Sequence, residues 1–354
     1  MFKKTLALSI LLTLLSTGLF AAESAEPAAP QAQPSAPAAA AQSAEPEVKV
    51  KIGGNIELSA SYENYRNSNS TSKFNALANF GLDLKFTDWI SGKIAIEIET
   101  AENYSNAADI LDEAYLKIGN TDKFPLFLMM GKIKLPFQGE IESIMFTDSM
   151  TLELGKVKVP ALQLAAKISF IEFGVGVFKA IKKVNRKYAA NHIHDGYLYL
   201  KIEPAAIEGM AFNFSLLSNV LDGKFLSGGY EEFINGGSPE LTHRIPGFSA
   251  AFNIPIWKIK ITAEMIAALR KVDWRGFKKP YTWFFEVSIK PMDWFEAGLR
   301  YENAYAMEIR NKMGAIVRFI WGSFSTAIEF MYLQKDNADK TKGFSLASVT
   351  KLEF

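Results

Sequence analysis

Hydrophobic side chains in this sequence recur at every second residue over short stretches, and after residue 22 no apolar run reaches the length of a membrane-spanning helix. Ile94, Ile96 and Ile98 alternate with Lys93, Ala95, Glu97 and Glu99. Leu162, Leu164, Ala166 and Ile168 alternate with Gln163, Ala165, Lys167 and Ser169, and Phe295, Ala297, Leu299 and Tyr301 with Glu296, Gly298, Arg300 and Glu302. Successive side chains of a strand point to opposite faces, so each stretch shows one face to something oily and the other to something wet. The stretches are rich in Phe, Tyr, Ile and Val, which favours strands over helices.

Breakers separate these stretches in two length classes. Thr87-Asp88-Trp89, Gly119 to Lys123, Lys290 to Asp293 and Trp321-Gly322-Ser323 are short turns. Residues 66–72, 181–195, 221–244, 270–279 and 334–342 are longer polar loops by composition. Short and long connections alternating along an all-β chain are the mark of an antiparallel up-and-down transmembrane β-barrel of the outer-membrane kind. Candidate strands begin near residues 48, 74, 91, 110, 126, 160, 171, 196, 210, 246, 257, 281, 294, 309, 323 and 343. That predicts about 16 strands, with 14 or 18 as the alternatives, because short apolar runs are easily split or merged.

The chain divides into three parts. Residues 1–22 read as a secretory signal peptide: Lys3 and Lys4, an apolar core from Leu6 to Leu15, then Ala21 and Ala22 as small cleavage-site residues. Residues 23–47 form an Ala/Pro-rich disordered linker, since repeated proline forbids a helix ladder and no large apolar residue is present. The barrel is expected over 48–354. A leader and a barrel together predict the Gram-negative outer membrane, entered as a multi-pass protein with the lipid bilayer as its first partner. Trp257, Trp283, Trp294 and Trp321, with Phe86, Tyr281, Tyr301 and Tyr332, sit near strand ends, where amphipathic rings form interfacial girdles. The chain ends in a strand closing on Phe354, with Phe344, Leu346 and Leu352 on the same face. Such an end resembles the signal read by the outer-membrane barrel assembly machinery.

Composition excludes other classes. With no cysteine, neither a disulfide scaffold nor a thiolate metal site is available. A formal charge of +1 offers no field for a phosphate backbone, so no nucleic-acid partner is expected. The three histidines, His192, His194 and His243, fall in polar loops without zinc-enzyme spacing, and neither a Gly-x-Ser-x-Gly elbow nor a phosphate-cradling glycine loop occurs. The expectation is no catalytic residues, no metal and no cofactor.

The polar parity carries the candidate pore. A lysine or arginine facing lipid at the midplane costs about 2–4 kcal/mol, so charges repeated at one parity predict a water-filled interior. That parity includes Glu97, Glu99, Lys132, Lys134, Lys167, Arg300, Lys312 and Arg318, with Glu264, Glu286 and Glu329 among others. The segment after Leu135 is less polar than the other loops, with Ile141, Ile144, Met145, Phe146, Met150 and Leu152. Such a loop is expected to fold inward and constrict the barrel, presenting Glu140, Glu142, Asp148 and Glu153 opposite Lys132, Lys134 and the later arginines. The expected lumen is of mixed charge.

Three runs carry a family resemblance: Leu111-Asp-Glu-Ala-Tyr-Leu-Lys-Ile-Gly to Leu126, Gly131-Lys-Ile-Lys-Leu-Pro-Phe137, and Phe146-Thr-Asp-Ser-Met-Thr-Leu-Glu-Leu-Gly155. Together they resemble the LbtU-type siderophore porin family of outer-membrane β-barrels. Lys132 and Gln138 stand where that family tends to have arginine and glycine. The resemblance implies a porin that passes a small hydrophilic solute passively, with a ferric siderophore as suggested cargo. A general or anion-preferring diffusion porin is the alternative, and a structural or adhesive barrel a third. Trimers are common among sixteen-stranded porins, which makes a homotrimer the assembly suggested by analogy.

Overall fold

The computed structural model describes residues 48–354 apart from 67–69, 101–109, 140–142, 181–192, 194, 224, 227–242, 273–277 and 337–340. Sixteen antiparallel strands close into one barrel, each paired with its sequence neighbours and β1 with β16. They are β1 (Lys49–Tyr65), β2 (Thr71–Lys85), β3 (Ile90–Glu99), β4 (Leu111–Ile118), β5 (Leu126–Lys134), β6 (Lys158–Ile168), β7 (Ile171–Phe178) and β8 (Asp195–Ile202). Then follow β9 (Ala211–Leu217), β10 (Gly247–Ile256), β11 (Ile259–Ala268), β12 (Tyr281–Met292), β13 (Phe295–Tyr305), β14 (Ile309–Trp321), β15 (Phe324–Lys335) and β16 (Lys342–Glu353). Every expected strand start lies within three residues of the observed one, because the breakers that end each hydrophobic alternation are also where the ladder ends. One short helix, α1 (Met150–Gly155), is absent from that sequence reading.

The seam closes on the last residue. Gly54 and Phe354 exchange both backbone hydrogen bonds, at 3.0 and 3.1 Å, and the Phe354 ring meets Phe80 edge-on at 5.4 Å. Phe344, Leu346, Leu352 and Phe354 all face outward and are exposed, while Ala347 and Val349 of the opposite parity are buried.

The outer wall is the oily face. Leu299, Met313, Ile328, Phe330 and Leu164 are exposed on it, whereas their inward neighbours Arg300, Lys312 and Glu329 are not. At the short-turn end Trp294, Phe319, Trp321 and Phe324 form a chain of ring contacts 5.9–6.3 Å apart. At the long-loop end Tyr281 stacks on Tyr305 and Trp283 packs against Tyr301, both at 5.5 Å. Two aromatic belts flanking an aliphatic band fit a bilayer with its two interfaces. The protein is a multi-pass transmembrane barrel.

The interior is only half open. On the side of β5–β11 the lumen holds an apolar core: Phe127, Ile133, Val159, Phe178, Tyr197, Tyr199, Leu217 and Ile266 from the strands. Leu135, Phe137, Met150, Leu154 and Val157 of the β5–β6 connection join it, as do Val220, Leu221, Leu226 and Ile245 of the β9–β10 connection. Water would otherwise fill this space, so each large aliphatic side chain buried here contributes about 1.5–3 kcal/mol. The burial of Val220, Leu221, Leu226 and Ile245 corrects the expectation of a polar loop over 221–244 at its two ends. The first residues of that connection carry the apolar side chains that cover α1.

Candidate functional site

Where a connection is buried, its amides and carbonyls must find partners within the protein. In the β5–β6 connection they come from the barrel wall. Glu264 on β11 accepts from the Gly139 amide at 2.7 Å and from Thr151 Oγ1 at 2.5 Å. Glu286 on β12 accepts from the Ile144 amide at 3.0 Å and from Ser143 Oγ at 2.5 Å. Glu302 on β13 accepts from the Met150 amide at 2.6 Å, and Glu329 on β15 accepts from the Phe146 and Thr147 amides at 3.1 and 3.3 Å. Met150 opens α1, where the first amides have no partner within the helix. Ser149 caps the same end, its Oγ accepting from the Leu152 amide at 3.1 Å.

The carbonyls go to cations. Arg300 on β13 donates to Thr147 O at 2.6 Å and to Ser143 Oγ at 3.1 Å, with its Nε 2.8 Å from Glu302. Lys312 on β14 donates to Asp148 O at 2.9 Å, and Arg318 on the same strand donates to Ile144 O. Every strand from β11 to β15 thus supplies at least one charged group that holds the loop. Four carboxylates against three cations nearly cancel, and both signs are engaged with peptide groups rather than with open water.

Backbones also meet closely. A Cβ on Gly155 would run into Ile266 Cδ1, and one on Gly223 would strike the Leu154 carbonyl. Glycine at both positions lets α1 sit between β11 and the β9–β10 connection.

What remains open lies along β1–β6 and β14–β16 on the long-loop side and along β5, β11–β14 and β16 below it. On the long-loop side a cavity of about 630 Å³ is lined by Glu57, Ser59, Asn75, Glu97, Glu99, Lys132 and the loop residues Phe146 to Asp148, among others. A second, of about 480 Å³, is lined by Lys134, Gln138, Leu152, Arg300, Arg318 and Lys351, among others. Thr147 and Asp148 border both cavities and stand at the passage between them. Among the described residues of the connection 135–157, Asp148 alone is exposed.

The twelve candidate residues are therefore divided by the fold. Glu97, Glu99 and Lys132 line the upper cavity, and Lys132 also donates to Leu111 O at 2.5 Å. Lys134 lines the lower one, and Asp148 both. Arg300 and Arg318 line the lower cavity and Lys312 the upper one, and all three also hold the loop backbone, which no local pattern reveals. Glu153, half-buried in the first turn of α1, borders neither cavity. Lys167 is exposed at the short-turn end, paired in register with Glu172 and away from the constriction. Glu140, Glu142, His192 and His194 lie outside the described residues. The holding glutamates 264, 286 and 329 were legible as inward by parity; their role required the loop's path.

No protein-family model matches the chain. A curated UPF0422 protein of Coxiella burnetii is 23% identical over 229 residues, which are 63% of this chain and 47% of that protein. The chain thus spans about half the length of the curated relative it matches. Solved structures that share the architecture include two channels. The outer membrane channel DcaP of Acinetobacter baumannii matches at a TM-score of 0.61 and 15% identity, covering 87% of this chain and 97% of that one. An anion-selective porin from Comamonas acidovorans matches at 0.62 and 8%, covering 87% and 100%. At these identities the likeness shows the fold. This chain has the sixteen-stranded barrel fold of outer-membrane porins.

Proposed function

We propose that this protein is an outer-membrane porin, which lets small hydrophilic solutes diffuse past the inward connections through the two cavities that meet at Thr147 and Asp148. The observation that carries this reading is the pair of cavities meeting at Thr147 and Asp148 inside a closed, lipid-belted barrel. By the usual arrangement of such barrels, the short turns face the periplasm and the long loops face outward. Planar-bilayer recording of the purified chain tests it: discrete current steps are expected, and a protein that passes no current would leave only an adhesive or structural barrel.

The cargo suggested here is a ferric siderophore, supported by the resemblance over residues 109–166. Growth of a deletion strain on ferric chelates, compared with phosphate and sugars, tests this, and unimpaired use of every chelate contradicts it. A general or anion-preferring pore is the second reading, favoured by the excess of one cation where Lys134, Arg300, Arg318 and Lys351 face Asp148, Glu264 and Glu353 around the lower cavity.

Two further proposals concern partners. The terminal strand ending at Phe354 is read by the barrel assembly machinery. The assembly is a homotrimer, a reading supported by hydroxyl residues Thr326 and Thr350, 3.3 Å apart on the outer wall where lipid alone would favour aliphatic side chains. Light scattering in detergent tests the stoichiometry.

A further inference from the structure

We propose that the conduction path is electrically bipolar along its axis, acidic on the long-loop side and basic at the short-turn rim, so that it rectifies ionic current. The inference deepens the pore reading and rests on it.

Two independent features of the described residues carry it. The upper cavity is lined by seven carboxylates against four lysines. Lys158 pairs with Asp112, which cancels one charge of each sign, while Lys312 and Lys132 keep their charge as they donate to Asp148 O and Leu111 O; the acidic excess is three. The carboxylate set is anchored by Glu57 and Glu99 on the barrel wall and Asp148 on the loop. At the other end, one rim cavity has five lysines against Asp83 and Asp88, with Lys85 paired to Asp88 and Lys93 to Glu113, so that the basic excess there is two; another has Lys258, Lys260 and Lys290 against Asp293 and Glu296. The sign of the lining reverses.

The two zones are far enough apart to act separately. Lys49 and Glu57 share one face of β1, and eight residues of strand span about 26 Å, or about 20 Å along the axis of a barrel whose strands tilt by about 40°. The Debye length near physiological ionic strength is about 8 Å, so neither zone cancels the other's field along the path. The buried Arg300 does not bridge them, because Thr147 O, Ser143 and Glu302 hold it.

The direction of rectification follows from the carriers. Cations accumulate in the acidic zone and anions in the basic zone. With the long-loop side positive, the field drives both populations toward the junction near Asp148, which fills with carriers. The opposite field drains it. Cationic solutes are therefore admitted preferentially from the long-loop side.

Single-channel recording of the full chain in symmetric KCl tests this. The chain has no cysteine, so Ser70→Cys in the β1–β2 connection can take a biotin label. Streptavidin added to one chamber then reports which side carries the long loops by reducing the current. At about 0.1 M salt the current is expected to be about 1.5-fold larger or more with the long-loop side positive, and the ratio to fall toward unity at about 1 M, where the Debye length is about 3 Å. Replacing Lys49, Lys51, Lys258 and Lys290 with glutamine should lower the ratio at low salt. A symmetric current–voltage curve at low salt, the opposite polarity, or a ratio insensitive to both salt and the lysine replacements would overturn the proposal. A channel that conducts without rectifying refutes bipolarity alone, whereas absence of current refutes the pore.

Discussion

Glu302 accepts a hydrogen bond from the Met150 amide at 2.6 Å, joining the start of α1 to a strand 152 residues later in the chain. The carboxylate caps a helix end that lies inside the barrel, and Arg300 on the same strand takes the Thr147 carbonyl two peptides before the cap. The pair fixes where the loop crosses the lumen.

Removing such a carboxylate should therefore loosen the constriction before it harms the barrel. Hydrogen bonds to charged groups contribute about 1.5–3 kcal/mol each. Glu302→Gln combined with Glu286→Gln is expected to lower the thermal unfolding midpoint in detergent. It should also raise the size of sugar that enters proteoliposomes in a swelling assay. A lower midpoint with an unchanged size cut-off would show that these glutamates stabilise the barrel without setting its width.

Leu154 is fully buried between the strand core and Leu221 and Leu226 of the β9–β10 connection. Leu154→Ala should cost about 2–5 kcal/mol, through lost burial and the cavity left behind. Urea unfolding in detergent micelles measures it, and a loss below about 1 kcal/mol would mean that the two inward connections are not packed as described.

Leu299 projects from the middle of β13 into the outer belt and is 65% exposed. Leu299→Arg should destabilise the protein in a bilayer by about 2–4 kcal/mol, while Ser345→Lys on the lumen side of β16 should be tolerated. Heat-modifiability on gels reports both. Equal effects would contradict the assignment of outer and inner faces.

These three predictions draw unequally on the sequence. Leu299 and Arg300 could be set on opposite faces from alternation alone, because lipid outside and water inside impose a period of two on every strand. The same alternation located all sixteen strands through their breakers. It could not show that Arg300, Lys312 and Arg318 turn to peptide carbonyls, since contacts more than 150 residues apart leave no local period. The six-residue helix α1 is too short to register one, and the apolar start of the β9–β10 connection is hidden in a segment polar on average. Gly131-Lys-Ile-Lys-Leu-Pro-Phe137 marks the approach to the constriction, while the residues that hold it are scattered over β11–β15.

Phe354 closes the seam with Gly54 and also ends the segment proposed to be read during assembly. Phe354→Ala should refold in detergent with a modestly lower midpoint, yet reach the outer membrane of cells at a fraction of the normal level. Heat-modifiable protein in isolated membranes measures the second effect. Normal insertion in cells would leave Phe354 a structural role only.

Asp148 is the exposed loop residue shared by both cavities. Asp148→Lys places a longer side chain of opposite charge at the passage and should lower single-channel conductance at low salt by about twofold, with little change in stability. An unaltered conductance would mean that ions take another route.

The direct test of a water path narrowed by the inward connection is single-channel recording of the full chain beside a variant in which residues 139–149 are replaced by a short Gly-Ser turn. The full chain should give discrete, uniform steps, and the variant steps of clearly larger conductance. No steps from the full chain, or equal steps from both proteins, would contradict it.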